Sequence, residues 1–132
     1  MTSATYNRVR RVLIADDEPT IRHLLELNLR AEGLDVVVCE DGDSAYAAAR
    51  SAPPDLFILD VMMPGRDGLD LLRDLRCDPL TANVPVVLLT AKATDAEVWE
   101  GWTAGADYYI TKPFDLEEVL TFIRYLGTPG SE

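Results

Sequence analysis

Apolar residues along this chain fall into two alternating rhythms. Short, nearly unbroken runs are separated by longer stretches in which leucine and alanine recur every three or four positions. The runs "RVLIA" (11–15), "DVVVC" (35–39), "LFILD" (56–60), "VPVVLLT" (84–90) and "YYIT" (108–111) are short and rich in β-branched residues, which predicts strands. The stretches between them predict helices. The first opens at Glu18-Pro19, with proline suited to a first turn, and runs to about Glu32, where Gly33 closes it. The second runs from about Ser44 to Ala52 and stops at Pro53-Pro54. The third is capped by Asp67 and carries Leu69, Leu71, Leu72 and Leu75 as far as Cys77. A fourth, capped by Thr94 or Asp95, ends at Ala104-Gly105, and Asp115 caps a last one reaching about Leu126. Strict alternation of this kind predicts βαβ units and a parallel sheet. The third and fourth strands are apolar throughout, as strands covered on both faces must be.

Composition narrows the picture. With 132 residues and 14.6 kDa the chain is large enough for one self-sufficient core. We expect a domain over 11–126, a flexible lead-in over 1–10 and, over 127–132, a tail or the start of a truncated linker. A hydrophobic share of 48% with 27% charged residues fits a soluble globular protein. No apolar run approaches the roughly 18 residues of a membrane span, and the N-terminus has no secretory apolar block. Cys39 and Cys77 lack metal-like spacing and are expected to pack as small hydrophobes in a reducing cytoplasm. The net charge of −11, from 23 acids and 12 bases, argues against direct nucleic-acid binding, which needs clustered cations. Basic character gathers only in "NRVRR" (7–11). Ten of the twelve bases are arginine, the exceptions being Lys92 and Lys112.

Ligands of an open parallel sheet bind beyond the carboxyl ends of its strands. The first strand ends in Asp16-Asp17-Glu18, the third in Asp60, the fourth in Thr90 and Ala91, and the fifth in Lys112-Pro113. Each has an ordinary reading alone: Asp16, Asp17 or Asp60 as a cap, Thr90 as a strand residue, Lys112 as a solvated surface lysine. Taken together, clustered carboxylates with no histidine or thiol nearby call for a hard cation, Mg2+ better than a caged Ca2+. A hydroxyl and an ammonium beside them make a phosphoryl site, with Asp60 as the nucleophile. A lysine in so arginine-rich a chain indicates that a compact point charge is wanted there.

The segments "ADDE", "LDVMMPGRDG", "LLTAK" and "GADYYITKPF" together resemble the receiver domain of bacterial two-component response regulators, over about Arg11 to Leu126. The resemblance implies a flavodoxin-like doubly wound sheet of order 2-1-3-4-5 with five helices, like a chemotaxis regulator. It implies Asp60 as phosphoacceptor, and Mg2+ held by Asp17 and Asp60, by Asp16 directly or through water, and by the Met62 backbone carbonyl. Thr90 and Ala91 with Lys112 would receive the phosphoryl group, Tyr109 would change rotamer with Thr90, and the Lys112–Pro113 bond would be cis. The donor would be a sensor histidine kinase or phosphotransfer protein, so His23 receives no catalytic role. The outcome would be a switch acting on an effector domain or downstream protein, with no membrane partner.

Met62 and Lys92 flank the site without a group suited to aligning a hydrolytic water, which implies slow self-dephosphorylation. The face formed by the fourth helix, fifth strand and fifth helix carries Trp99, Trp102, Tyr108, Leu120 and Phe122, with Tyr125 beside them. It is the expected partner face and the place where a homodimer would form. Trp99 and Trp102 could equally be core padding. Two other functions compete: an aspartyl-nucleophile phosphatase, which would want a second acid where Met62 stands, and a pseudo-receiver that only binds.

Overall fold

A computed structural model of the chain describes residues 9–91 and 95–127, with residues 95–97 described by their backbone alone. Its strands are β1 (Arg11–Ala15), β2 (Asp35–Cys39), β3 (Leu56–Asp60), β4 (Val86–Thr90) and β5 (Tyr108–Thr111). Its helices are α1 (Pro19–Ala31), α2 (Gly42–Ser51), α3 (Gly68–Cys77), α4 (Asp95–Ala104) and α5 (Leu116–Gly127). The strands form one parallel sheet in the order β2-β1-β3-β4-β5. Connections run outward from β1 in one direction and from β3 in the other, so the order reverses between these two strands. That reversal opens a crevice at their carboxyl ends.

Alternation along each strand feeds two cores, one on each face of the sheet. Leu13, Phe57, Leu59, Val86 and Leu88 point to the face covered by α2 and α3, where they meet Ala45, Ala49, Leu71, Leu72 and Leu75. Val12, Ile14, Ile58, Val87, Leu89 and Ile110 point to the other face, under Leu25 and Leu29 of α1 and Val119, Leu120 and Ile123 of α5. β3 and β4, at the centre of the sheet, are buried along their whole length.

Local signals set most boundaries. Asp67 caps α3 by accepting the Asp70 N–H at 2.9 Å. Asp115 accepts the Glu117 N–H at 3.1 Å at the start of α5. α2 starts two residues earlier than expected. Asp41 is its cap, accepting the Ser44 N–H at 2.7 Å. β4 starts at Val86 because Pro85 has no N–H for the ladder and the Val84 carbonyl is taken by Arg76 Nη1 at 2.7 Å. Within the expected lead-in, Val9 is buried and the Arg10 N–H is bound by Asp55 at 2.9 Å. The rest of the lead-in (1–8), the tail (128–132), Lys92 and the Thr94 cap lie outside the described residues. Cys39 is buried as expected, but Cys77 is exposed, on the solvent side of the last turn of α3.

Candidate functional site

β1 and β3 drive acids to one rim because their apolar runs end there. Asp16, just past β1, is fully buried, Asp60 at the tip of β3 is 4% exposed, and Asp17 faces solvent. One carboxylate oxygen from each of the three lies within 4.8 Å of the others, the one such group among the described residues. Lys112, just past β5, reaches in from the side. Its Nζ is 3.0 Å from Asp16 Oδ2, 3.3 Å from Asp60 Oδ2 and 2.9 Å from Glu18 Oε1. The Lys112–Pro113 peptide is cis.

The two buried acids are held in place. Asp16 Oδ1 accepts the Glu18 N–H at 2.9 Å, and Asp60 Oδ1 accepts the Met62 N–H at 3.2 Å. Arg22 Nη1 donates to the Asp16 carbonyl at 2.8 Å, tying α1 to the rim. Gly68 lets α3 start directly over the strand tip, since a Cβ there would come within 2.3 Å of the Asp60 carbonyl oxygen. Asp16 Oδ2 is buried and accepts no directed hydrogen bond. The Lys112 ammonium sits close to it, but the attraction there is Coulombic, and the oxygen keeps lone-pair capacity for a cation.

Burial pushes the Asp60 carboxyl up to about 7, with the neighbouring Asp16 charge adding to the effect and Lys112 and the Met62 N–H opposing it. Burial also works against the Lys112 charge. The carboxylates of Glu18, Asp16 and Asp60 outweigh it and raise the ammonium above the ordinary lysine value. The rim therefore holds one secure positive charge and more negative charge than it can comfortably keep. The donor set is all oxygen, with one buried oxygen short of a hydrogen bond, and it fits a hard divalent cation. Asp16, Asp17 and Asp60 are the side chains that could hold it.

Thr90 closes β4, buried beside the rim, and Ala91 after it is exposed. Tyr109 is half-buried and packs against α4 at Gly101, where a Cβ would lie 2.4 Å from the Tyr109 ring. Met62 points outward, 68% exposed. His23 is exposed on α1, remote in role from the rim. The expected partner face divides into two parts. Trp99 and Trp102 are 71% and 46% exposed on α4, so they are not core padding. Tyr108 and Phe122 are half-buried and stacked at 4.7 Å. Leu120 does not belong to this face: it is buried between α5 and the sheet, because its position on α5 turns it toward the core shared with Val119 and Ile123. Glu18 was given no role in the sequence reading, yet it is an immediate partner of Lys112; its adjacency to the acidic pair was the only signal.

Comparison with known proteins agrees with this geometry. The family model "Response regulator receiver domain" matches residues 12–124. The chain belongs to the response-regulator receiver domains. It is 46% identical over 115 residues to the probable transcriptional regulatory protein TcrX of Mycobacterium tuberculosis, covering 87% of this chain and 48% of that protein. To the DNA-binding dual master transcriptional regulator RpaA of Synechocystis it is 44% identical, covering 88% of this chain and 48% of the relative. The chain thus spans about half the length of the curated relatives it matches. Among solved structures, the chemotaxis protein CheY4 of Vibrio cholerae superposes with a TM-score of 0.84 at 30% identity, over 88% of this chain and 97% of that one. The BeF3-activated receiver domain of Klebsiella pneumoniae RstA gives 0.80 at 34% identity, over 87% and 96%. The expected fold and family are borne out, and the phosphatase and pseudo-receiver alternatives are not favoured. No helix among the described residues is long and apolar enough to cross a membrane.

Proposed function

We propose that Asp60 is the phosphoacceptor of a signalling switch fed by a sensor histidine kinase or a phosphotransfer protein. The observation that carries this is the Asp60 carboxylate at the tip of a fully buried strand, held between the buried Asp16 and the Lys112 ammonium. A carboxylate oxygen of Asp60 attacks the phosphorus of the donor's phosphohistidine. The donor ring carries a proton on its other nitrogen, so when the P–N bond breaks and its electron pair goes to the ring, the imidazole leaves as the neutral base and an acyl phosphate remains on Asp60. Mg2+ would be held by Asp16, Asp17, Asp60 and the Met62 backbone carbonyl, and when bound it would offset the negative charge of the incoming group. Lys112 stands 3.3 Å from Asp60 and pairs with the transferred phosphoryl oxygens. The Thr90 hydroxyl and the Ala91 backbone accompany it on the neighbouring strand.

The conformational reading follows from packing. Tyr109 fills the space that a side chain at position 101 would need, so movement of Thr90 and Tyr109 displaces α4 and its exposed tryptophans. The face of α4, β5 and α5 then changes its affinity for an effector domain or downstream protein. Met62 offers no polar group to align a hydrolytic water, so the phosphorylated form is long-lived.

Incubation with acetyl phosphate and Mg2+ tests the reading. One phosphoryl group should add to the intact mass, and Asp60→Asn should abolish the addition. An equal yield in the variant would overturn the assignment. Lys112→Arg, which keeps the charge but replaces a compact donor by a wide planar fork, should uncouple phosphorylation from the conformational response.

A further inference from the structure

Glu18 borders the rim, yet neither metal binding nor phosphoryl transfer draws on it. It stands at the N-cap of α1, where Ser, Thr, Asp or Asn would bind a free N–H of the first turn. The Glu18 side chain makes no such bond. Its Oε1 instead accepts a hydrogen bond from Lys112 Nζ at 2.9 Å, across 94 positions of the chain. The backbone that aims it is fixed on both sides. The Glu18 N–H is bound by Asp16 Oδ1 at 2.9 Å, the Glu18 carbonyl accepts the Arg22 N–H at 3.1 Å, and Pro19 follows at once.

The partners of Lys112 differ in solvation. The side chains of Asp16 and Asp60 are 0% and 5% exposed and that of Lys112 12%, while that of Glu18 is 59% exposed. Asp16 Oδ2 lies 3.0 Å from the ammonium without accepting a directed hydrogen bond, so Glu18 takes an N–H that this buried acid leaves over. An ammonium has three N–H groups to give, and a phosphoryl group on Asp60 would draw on the one that Glu18 holds. Glu18 also sets a negative charge beside an incoming anion. The acid that yields is the one water can receive. Asp16 would stay buried without its cation, whereas Glu18 re-enters solvent at little cost.

We propose that Glu18 is a positioning residue that holds Lys112 in the unphosphorylated chain and surrenders it to the phosphoryl group. The proposal rests on Asp60 as the phosphoacceptor. Glu18 then sets how readily the lysine becomes available, and its hold slows the gain of the phosphoryl group.

Lys92 and Lys112 are the only lysines in the sequence, so 13C-labelled lysine gives two ε-methylene signals in 1H–13C spectra, told apart by Lys92→Arg. Before BeF3− is added, Glu18→Gln should shift the Lys112 signal. With Mg2+ and BeF3−, whose fluorides stand in for phosphoryl oxygens on Asp60, the signals of the wild type and of Glu18→Gln should coincide. A difference that persists under BeF3−, or none beforehand, would overturn the role of Glu18 alone. No response to BeF3− in either chain would remove the acceptor reading and the proposal with it. A rate measurement separates the pair from its charge. Glutamine keeps the length of Glu18 without its charge, and aspartate keeps the charge one methylene short of Lys112. At saturating Mg2+, labelling by acetyl phosphate should therefore quicken about threefold in both Glu18→Gln and Glu18→Asp. A gain in the glutamine variant alone would make the effect one of net charge, and an unchanged or slower rate in both would show that Glu18 does not withhold the lysine; either result overturns the proposal.

Discussion

The molecule carries two acidic regions that behave in opposite ways. At the rim beyond β1 and β3, Asp16 and Asp60 are buried and converge on one ammonium. In the β5–α5 groove, Asp107, Glu117 and Glu118 are exposed around aromatic walls. The number of acids is similar; their solvation is not. Buried carboxylates cannot relax into water, so they hold a proton, an ammonium or a metal ion, and their reactivity follows that requirement. Exposed carboxylates are satisfied by water and gain only modestly from a cation, which suits reversible recognition.

The difference can be broken most forcefully at Lys112. Lys112→Ala leaves Asp16 and Asp60 buried without their cation, and should cost about 3 kcal/mol of stability at pH 8 in EDTA. Part of that loss should return with Mg2+ or on lowering the pH to 5. Glu118→Gln in the groove should change stability by less than about 0.5 kcal/mol at any pH. Urea denaturation of both variants makes the measurement, and similar losses would erase the distinction.

A second test uses pH. The Asp60 carboxyl is raised to about 7 in the folded chain, against about 3.9 in the unfolded one. The stability this proton confers is complete below the unfolded value and is lost as pH rises through about 7. Asp60→Asn removes the ionisation. In metal-free buffer it should stabilise the chain at pH 8 by on the order of 2 kcal/mol and have little effect at pH 4. A pH-independent difference would mean that Asp60 is better solvated than its burial indicates.

Gly101→Ala sharpens the link between the rim and α4. Its new Cβ would meet the Tyr109 ring 2.4 Å away, so the ring must move or α4 must shift. We expect a loss of about 1–2 kcal/mol, with an altered tryptophan fluorescence spectrum in the unphosphorylated state. The smallest effect belongs to the tryptophans. Trp99→Ala with Trp102→Ala should lower stability by under about 1 kcal/mol, because Trp99 is mostly, and Trp102 nearly half, exposed to water. A larger loss on thermal melting would show that they pack in solution.

Much of this was legible in the chain itself. The five apolar runs located every strand because a parallel sheet covered on both faces leaves an unbroken hydrophobic signature, and β3 and β4 carry it most clearly. The rim was legible because strand ends are where such sheets present chemistry. Distances were not: Glu18 looked like a helix-opening residue, and only the fold brings it 2.9 Å from Lys112, 94 positions away in the chain. Burial on amphipathic helices was also hard to read. Leu120 and Phe122 are two residues apart and equally apolar, yet one enters the core and the other lines the groove, a difference set by the helix's rotation against β5. The start of α2 was missed because Asp41 and Ser44 are both good caps, and the backbone conformation at Asp41 decides between them.

The central claim is that the acid at the tip of β3 receives the phosphoryl group. Borohydride reduction of the phosphorylated chain converts an aspartyl phosphate to homoserine and so marks its position chemically. After incubation with acetyl phosphate and Mg2+, peptide mapping should find homoserine at position 60 and at no other aspartate. Homoserine at position 16 or 17, or none at all in a chain that has gained phosphate, would contradict the account.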